Sequence, residues 1–235
     1  MKNQSCVIIA LDFSDFHELE SFVAILNSKF CKLKVGKELF TKFGPRVVEF
    51  LQSKGFDVFL DLKFHDIPNT VFSAVKASCE LGVWMLNVHA AGGEEMLTAA
   101  KEAVDKKKYK TNLIAVTVLT SFDRDNLISI GINNDIQQQV KLLGELALKC
   151  NLDGVVCSPN ECSIIKKIHP NFLTVTPGIR LNGNKDDQKR VYNHIEARKL
   201  GSDYLVIGRS ITRSREPLNV LQTIKSDLEN LYYDK

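Results

Sequence analysis

The chain has 235 residues, of which 44% are hydrophobic and 25% are charged, and its formal net charge is +3. This composition is typical of a globular protein that can bury a large apolar core without disulfides or a structural metal. The basic residues are spread among acidic ones and form no stripe, so the charge pattern argues against a nucleic-acid partner.

Cysteines and histidines give no sign of a metal site. The six cysteines form no CxxC pair and lie mostly within apolar strand or helix patterns, so we expect buried free thiols. His65, His89 and His169 lack the spacing of metal ligands. The apolar run near the N-terminus is short and ends at Asp12, which argues against a signal peptide or a membrane span. We therefore expect a metal-free protein of the reducing cytoplasm, with no membrane partner.

Short apolar or β-branched runs alternate eight times along the chain with longer stretches of helical spacing. The predicted strands are 6–12, 31–36, 57–64, 84–90, 112–119, 154–158, 173–178 and 203–209, and 17–28 and 136–150 are examples of the predicted helices. No linker interrupts the series, which predicts an α/β protein, a single (β/α)8 TIM barrel that spans residues 1–235 as one domain. An open doubly wound sheet also alternates in this way, but no GxGxxG turn follows the first strand.

Polar residues stand at the ends of several predicted strands, where a packed strand would not carry them. In barrels of this class the functional groups gather at the C-terminal ends of the strands. The residues at these ends are Asp12, Lys34, Asp61, Lys63, His65, Asp66, Pro177, Gly178, Arg180, Gly208 and Arg209. We expect them to line one mouth of the barrel.

The third predicted strand carries a charged pair. Its period of two places Asp61 and Lys63 on one face and apolar residues on the other, where outer helices would cover them. A buried charge is costly unless it is paired, so Lys63 between Asp61 and Asp66, with Lys34 nearby, would form a compensated network in which Lys63 stays protonated. The alternative is an exposed strand whose Asp and Lys pair with little consequence.

The segment DLKFHDIPNT at 61–70 resembles the signature of the orotidine 5'-monophosphate decarboxylase family. The chain is similar to the bacterial members of that family over nearly its whole length. Further blocks in the same order are ALD at 10–12, LKVGKELFTKFGP at 33–45, LGVWMLNVHAAGG at 81–93, AVTVLTS at 115–121, LDGVVCS at 152–158, TPGIR at 176–180 and IGRSIT at 207–212.

This resemblance implies a decarboxylase that converts orotidine monophosphate to uridine monophosphate and carbon dioxide in pyrimidine biosynthesis, without a metal or cofactor. It implies that Lys63 protonates C6 of the pyrimidine, with Lys34, Asp61 and Asp66 completing a charged array. It also implies a homodimer in which Asp66 and Thr70 complete the partner's site. The other substrate contacts that it implies are Asp12, Thr120, Pro177, Arg180, Gln188, Gly208 and Arg209.

Two other functions stay open at this point. A magnesium-dependent sugar-phosphate decarboxylase of the same superfamily would use Asp61 and Asp66 as oxygen ligands. Against it, the second strand carries Lys34 rather than a glutamate, and Glu38 lies further along the chain, in the predicted helix. A non-catalytic sensor of nucleotide phosphates would keep the phosphate site and lose the chemistry. The intact set of Asp61, Lys63 and Asp66 argues against this second alternative.

Overall fold

The structure is a computed structural model of the chain, and it describes residues 5–181 and 192–233. Eight parallel strands close into a barrel in which each strand pairs with the next and the last pairs with the first. The strands are β1 Val7–Leu11, β2 Lys32–Gly36, β3 Val58–Phe64, β4 Met85–His89, β5 Asn112–Val116, β6 Gly154–Val156, β7 Leu173–Thr176 and β8 Tyr204–Ile207. Each lies within its predicted range, and the predicted (β/α)8 barrel is confirmed.

Helices follow the strands and surround the barrel. They are α1 Phe16–Ala24, α2 Lys37–Phe43, α3 Pro45–Ser53, α4 Pro68–Glu80, α5 Gly93–Asp105, α6 Arg124–Ser129, α7 Ile136–Lys149, α8 Cys162–Ile168, α9 His194–Lys199, α10 Arg209–Thr212 and α11 Pro217–Tyr233. Helix α1 ends at Ala24, earlier than predicted, because the Asn27 side chain accepts a hydrogen bond from the Lys29 N–H at 2.9 Å and begins a turn. In the part of the chain that is described, no helix has both the length and the apolar character needed to cross a membrane.

Two apolar layers hold the barrel together because side chains alternate along each strand. In β1, for example, Val7, Ile9 and Leu11 pack outward against the helices, whereas Ile8 and Ala10 point into the barrel. The inner layer consists of Ile8, Ala10, Phe59, Met85, Ile114, Val175 and Val206. It fills the lower part of the barrel and leaves the C-terminal ends of the strands for polar residues.

A buried lysine lies at the N-terminal end of the barrel, which we call the floor. The Lys32 ammonium is 2.5 Å from Asp57 Oδ2 and 4.3 Å from the centroid of the Trp84 ring. Trp84 in turn contacts Tyr204 edge to face, with ring centroids 5.1 Å apart. The ion pair and the cation–π contact compensate this buried charge, so we assign Lys32 a structural role.

The pairing of β3 with β4 contains a bulge. The ladder is regular up to Leu60 and resumes at Phe64, so residues 61–63 of β3 lie opposite the single β4 residue Asn87. Within this bulge Lys63 has φ of 54°, in the left-handed region. That conformation costs a residue other than glycine roughly 1 kcal/mol, so the surrounding contacts must stabilise it. The bulge turns the Lys63 side chain toward the mouth that Asp61 also faces.

The outer layer offers a test of how much the fold depends on packing. Leu86 in β4 is 0% exposed between the barrel and its helices, whereas Leu142 on α7 is 52% exposed. We expect Leu86→Ala to lower the free energy of unfolding by about 2–5 kcal/mol, because it leaves a cavity in a packed core. The matched Leu142→Ala change should lower it by less than about 1 kcal/mol. Equilibrium urea denaturation measures both, and equal losses would contradict the assignment of the core.

Candidate active site

A cavity of about 380 Å³ opens at the C-terminal ends of the strands. It brings together most of the residues that the sequence predicts for the site. These are Asp12, Lys34, Asp61, Lys63, Thr120, Pro177, Arg180, Gly208 and Arg209. Residues from the ends of six strands, β1, β2, β3, β5, β7 and β8, thus meet in one space, as the closed strand order requires.

Two predicted site residues lie outside this cavity. Asp66 and Thr70 are exposed and do not line the cavity of their own chain. The Asp66 carboxylate accepts a hydrogen bond from the Ile67 backbone N–H at 2.7 Å, and within the described residues the structure gives it no ion pair with Lys63. Gln188 lies outside the described residues. In a single chain, the carboxylate that contacts Lys63 is therefore that of Asp61.

The Asp61 carboxylate lies between two lysines. Its Oδ1 is 2.5 Å from Lys63 Nζ, and its Oδ2 is 3.3 Å from Lys34 Nζ. Lys34 Nζ is also 4.0 Å from Oδ1 of Asp12, whose side chain is more exposed. Strands β2 and β3 are neighbours in the barrel, so the pairing follows directly from the strand order. The sequence prediction that Lys34, Asp61 and Lys63 form one network is consistent with these distances.

Burial by itself would raise the pKa of Asp61, but its cationic neighbours outweigh that effect. Attraction to Lys34 and Lys63, with hydrogen bonds from Lys63 and Asn87, lowers the pKa to about 2. The carboxylate therefore remains ionised at any physiological pH. The cavity lining contains four cationic side chains, Lys34, Lys63, Arg180 and Arg209, and two carboxylates, Asp12 and Asp61, so its net charge is positive. Such a site favours an anionic ligand.

Asn87 belongs to this network, and the sequence analysis missed it. Its Nδ2 donates a hydrogen bond to Asp61 Oδ1 at 2.7 Å, and its Oδ1 accepts one from the Lys63 backbone N–H at 2.8 Å. A signal was present, because Asn87 is a polar residue inside the apolar strand β4, two positions after the inward-facing Met85. The same feature, a polar residue in an apolar strand, distinguishes Lys34 in β2.

The wall formed by β7 and β8 carries arginines and glycines. Gly178 and Arg180 follow β7, Gly208 and Arg209 follow β8, and all four line the cavity. In the strand order β7 lies directly across the barrel from β3. Gly178 has φ of 81°, a conformation that glycine adopts without strain. Guanidinium groups beside glycine backbone are suited to binding a phosphate, and those that follow β7 lie across the barrel from Lys63 on β3.

Apolar side chains line the space between the lysines of β2 and β3 and the wall formed by β7 and β8, and we call this space the apolar slot. Side chains from the inner layer form its base, and valines line its sides. The apolar lining residues are Ala10, Phe59, Val116, Val118, Leu119, Val156, Val175 and Val206, and Thr120 and Ser121 add hydroxyl groups at the rim. A flat ring fits an apolar slot with a few polar groups at its edge. Within the described residues, no group of three or more His, Cys, Asp or Glu side chains is arranged to hold a metal ion.

The fold and this cavity define a (β/α)8-barrel enzyme whose mouth holds an ion-paired lysine network. A model of the Orotidine 5'-phosphate decarboxylase / HUMPS family matches residues 5–224. The chain belongs to this family, and the resemblance inferred from its sequence is confirmed.

Individual relatives are similar over almost the whole chain. The orotidine 5'-phosphate decarboxylase of Nitrosomonas eutropha is 52% identical over 228 residues, which cover 96% of this chain and 98% of that protein. The enzyme of the same name from Dichelobacter nodosus is 51% identical over 228 residues, covering 96% of this chain and all of that protein (100%). A crystal structure of orotidine 5'-phosphate decarboxylase from Lactobacillus acidophilus is 35% identical, with a TM-score of 0.83, and covers 95% of this chain and 99% of that one.

His89, at the end of β4, lies close to the lysine network and to His65, with ring centroids 5.3 Å apart. Burial, followed by repulsion from His65, Lys37 and Lys63, lowers the pKa of His89 from 6.5 to about 4. As the pH falls, the unfolded chain therefore binds this proton before the folded chain does. The stability that neutral His89 contributes is complete above pH 6.5 and is lost between pH 6.5 and about 4.

We therefore expect the free energy of unfolding to fall less steeply for His89→Gln than for the parent between pH values of about 7.5 and 5. Urea denaturation at the two pH values gives the comparison. His169 is exposed, and His169→Gln serves as a control that should follow the parent. Equal pH dependence of His89→Gln and the parent would show that His89 is not held neutral in the folded state.

Proposed function

We propose that the chain decarboxylates orotidine 5'-monophosphate to uridine 5'-monophosphate and carbon dioxide without a cofactor. The observation that carries the proposal is the Lys63 ammonium in the cavity, 2.5 Å from the buried carboxylate of Asp61. Membership of the family, and relatives of this name that are about half identical over nearly the full length, support the same activity.

Lys63 provides the chemistry that this reaction needs. Loss of carbon dioxide from C6 leaves an electron pair in the plane of the pyrimidine ring, which the π system cannot delocalise. A fixed ammonium beside that carbon stabilises the developing charge. Lys63 Nζ then gives its proton to C6, forming the new C–H bond, and neutral Lys63 regains a proton from solvent. Enzymes lower barriers by up to roughly 20 kcal/mol, and this reaction requires the upper part of that range.

Asp61 and Lys34 support Lys63 in this proposal. Because the pKa of Asp61 is about 2, its carboxylate holds a negative charge that keeps the ammonium of Lys63 in place. The carboxylate of the substrate would lie near that of Asp61, and their repulsion ends when neutral carbon dioxide leaves. Lys34, which lies between Asp61 and Asp12, is placed to bind the ribose hydroxyls together with Asp12.

The rest of the substrate extends toward the opposite wall. Arg209 and the backbone at Gly208 are assigned to the phosphate, and Arg180 and Gln188 to closure over the phosphate and base. Thr120 and Pro177, at the rim of the apolar slot, are assigned to the base. Binding energy from the phosphate, remote from C6, can then hold the ring against Lys63 and lower the barrier of the chemical step.

A homodimer would account for the exposed residues after β3. Asp66 and Thr70 are exposed, and Ile67 between them is 67% exposed. A dimer that forms at the mouth of the barrel would cover this large apolar side chain. In the proposed dimer, Asp66 reaches Lys63 of the other subunit, and Thr70 contacts the substrate there. The second carboxylate of the charged array is then supplied in trans.

The magnesium-dependent alternative fits the geometry less well. Asp61 Oδ1 already accepts hydrogen bonds from Lys63 and Asn87, and its Oδ2 faces Lys34. A metal would have to displace these cations from a carboxylate that they stabilise. A sensor without chemistry would have no use for the close ammonium. The network therefore favours cofactor-free catalysis over both alternatives.

Turnover by the parent and by a Lys63→Ala variant tests the proposed function. After EDTA treatment, we expect the parent to consume orotidine monophosphate. The loss of the ultraviolet absorbance of this substrate measures the rate. The Lys63→Ala variant should be slower by at least about 10³-fold, since it lacks both the charge and the proton donor. Lys141→Met, at an exposed position on α7, serves as a control with parental activity. A parent that binds uridine monophosphate but never turns over would support the sensor instead.

Mixing two inactive variants tests the shared site. In the proposed dimer, each site combines Lys63 of one subunit with Asp66 of the other. A dimer of one Lys63→Ala chain and one Asp66→Ala chain therefore contains one site with both changes and one site with neither. After subunit exchange we expect about a quarter of the parental activity, because half of the dimers are mixed and each has one intact site. Sedimentation of the parent should show a dimer. A fully active monomer, or no recovery after exchange between folded variants, would remove Asp66 from the partner's site.

A further inference from the structure

The side chain of Asn87 links the two charged residues of the β3 bulge. Its carboxamide hydrogen-bonds the backbone of Lys63 on one side and the carboxylate of Asp61 on the other, at 2.8 and 2.7 Å. Asp61 Oδ1 also accepts from Lys63 Nζ at 2.5 Å. Three side chains therefore form a closed ring of hydrogen bonds that holds Lys63 at both its backbone and its ammonium group.

The bulge explains why a side chain has to supply this bond. Asn87 is the single β4 residue opposite residues 61–63, where the regular ladder is interrupted. The Lys63 N–H donates to Asn87 Oδ1 in place of a strand carbonyl. Since φ of Lys63 is 54°, this bond stabilises a left-handed conformation that the residue would otherwise leave.

The orientation of the carboxamide follows from the chemistry of its partners. A backbone N–H can only donate, so the atom of Asn87 that faces Lys63 must be its oxygen. The nitrogen must then face Asp61, an ionised carboxylate that can only accept. An amide matches this pair of partners, whereas a carboxylate in the same place would supply the acceptor and lack the donor.

Asn87 does not contact the cavity. It is 0% exposed and is absent from the lining residues, so any effect on a substrate must pass through Lys63 and Asp61. We propose that Asn87 is a positioning residue that fixes the place of the Lys63 ammonium for proton delivery. The inference rests on the proposed function, in which Lys63 is the proton donor.

Two substitutions separate positioning from simple stability. In N87L both hydrogen bonds are lost from a side chain of similar size. We expect kcat to fall by about 10- to 100-fold at every pH, because the variant loses hydrogen bonds to charged groups. KM and the Kd for uridine monophosphate should stay within about threefold of the parent values. In N87D the new carboxylate faces Asp61 at neutral pH, and kcat should fall similarly.

The N87D variant should recover as the pH is lowered. Once its new carboxyl takes up a proton, it can donate to Asp61 as the amide did and still accept from Lys63. We expect its kcat, relative to the parent at each pH, to rise from about pH 8 to about pH 5. A purely structural defect would not produce that recovery. N112L is the control, because Asn112 donates to the Trp84 carbonyl at 3.1 Å at the floor of the barrel, and its kcat should stay within about twofold.

The outcomes are distinguishable. If the parent does not turn over orotidine monophosphate, the proposed function fails. If the parent turns over and N87L and N87D both keep kcat within about threefold, the positioning role of Asn87 is refuted. Circular dichroism establishes whether each variant folds. If N87L does not fold, N87D decides, and a low kcat that does not recover at lower pH counts against the inference.

Discussion

The side chain of Asp61 is 12% exposed, and a charge in such a position is tolerated only while cations and hydrogen-bond donors surround it. The required groups come from three adjacent strands. They are the ammonium of Lys34 in β2, the ammonium of Lys63 in the bulge of β3 and the carboxamide of Asn87 in β4. The dependence is mutual, because two ammonium groups this close would repel each other without the carboxylate. The network is thus a single electrostatic unit, and removal of any one member alters the others.

The barrel supplies this unit with its geometry. Strands β2, β3 and β4 are adjacent, so their inward residues converge, and the opposite wall of β7 and β8 carries the arginines and glycines. A ligand that reaches from one wall to the other must cross the apolar slot between them. In the proposed function, the closed strand order therefore separates the residues assigned to the phosphate from Lys63, which is assigned to the ring, at a distance that the core packing fixes.

Much of this arrangement could be predicted from the sequence because it is periodic. Strands with apolar alternation reveal their inward faces, and Lys34, Asp61 and Lys63 stood out as charges on such faces. The bulge was not predictable in that way, since a period of two contains no sign of a break in the register. Asn87 stands out in the sequence only as a polar residue in the apolar strand β4, and its pairing with Lys63 and Asp61 depends on the bulge that places residues 61–63 opposite it. The proposed contact of Asp66 with a second subunit follows from the family resemblance alone, because the periodicity of one chain contains no information about contacts between subunits.

The floor of the barrel has a consequence for how this protein can be observed. The sequence contains one tryptophan, and that residue, Trp84, is packed between Lys32 and Tyr204 at the end of the barrel opposite the cavity. Its fluorescence therefore reports the packing of the strands around the floor, away from the groups that line the mouth. The molecule carries a built-in probe of folding at a place separate from its cavity, so the unfolding of the barrel can be followed in an unlabelled sample by a signal that does not depend on turnover.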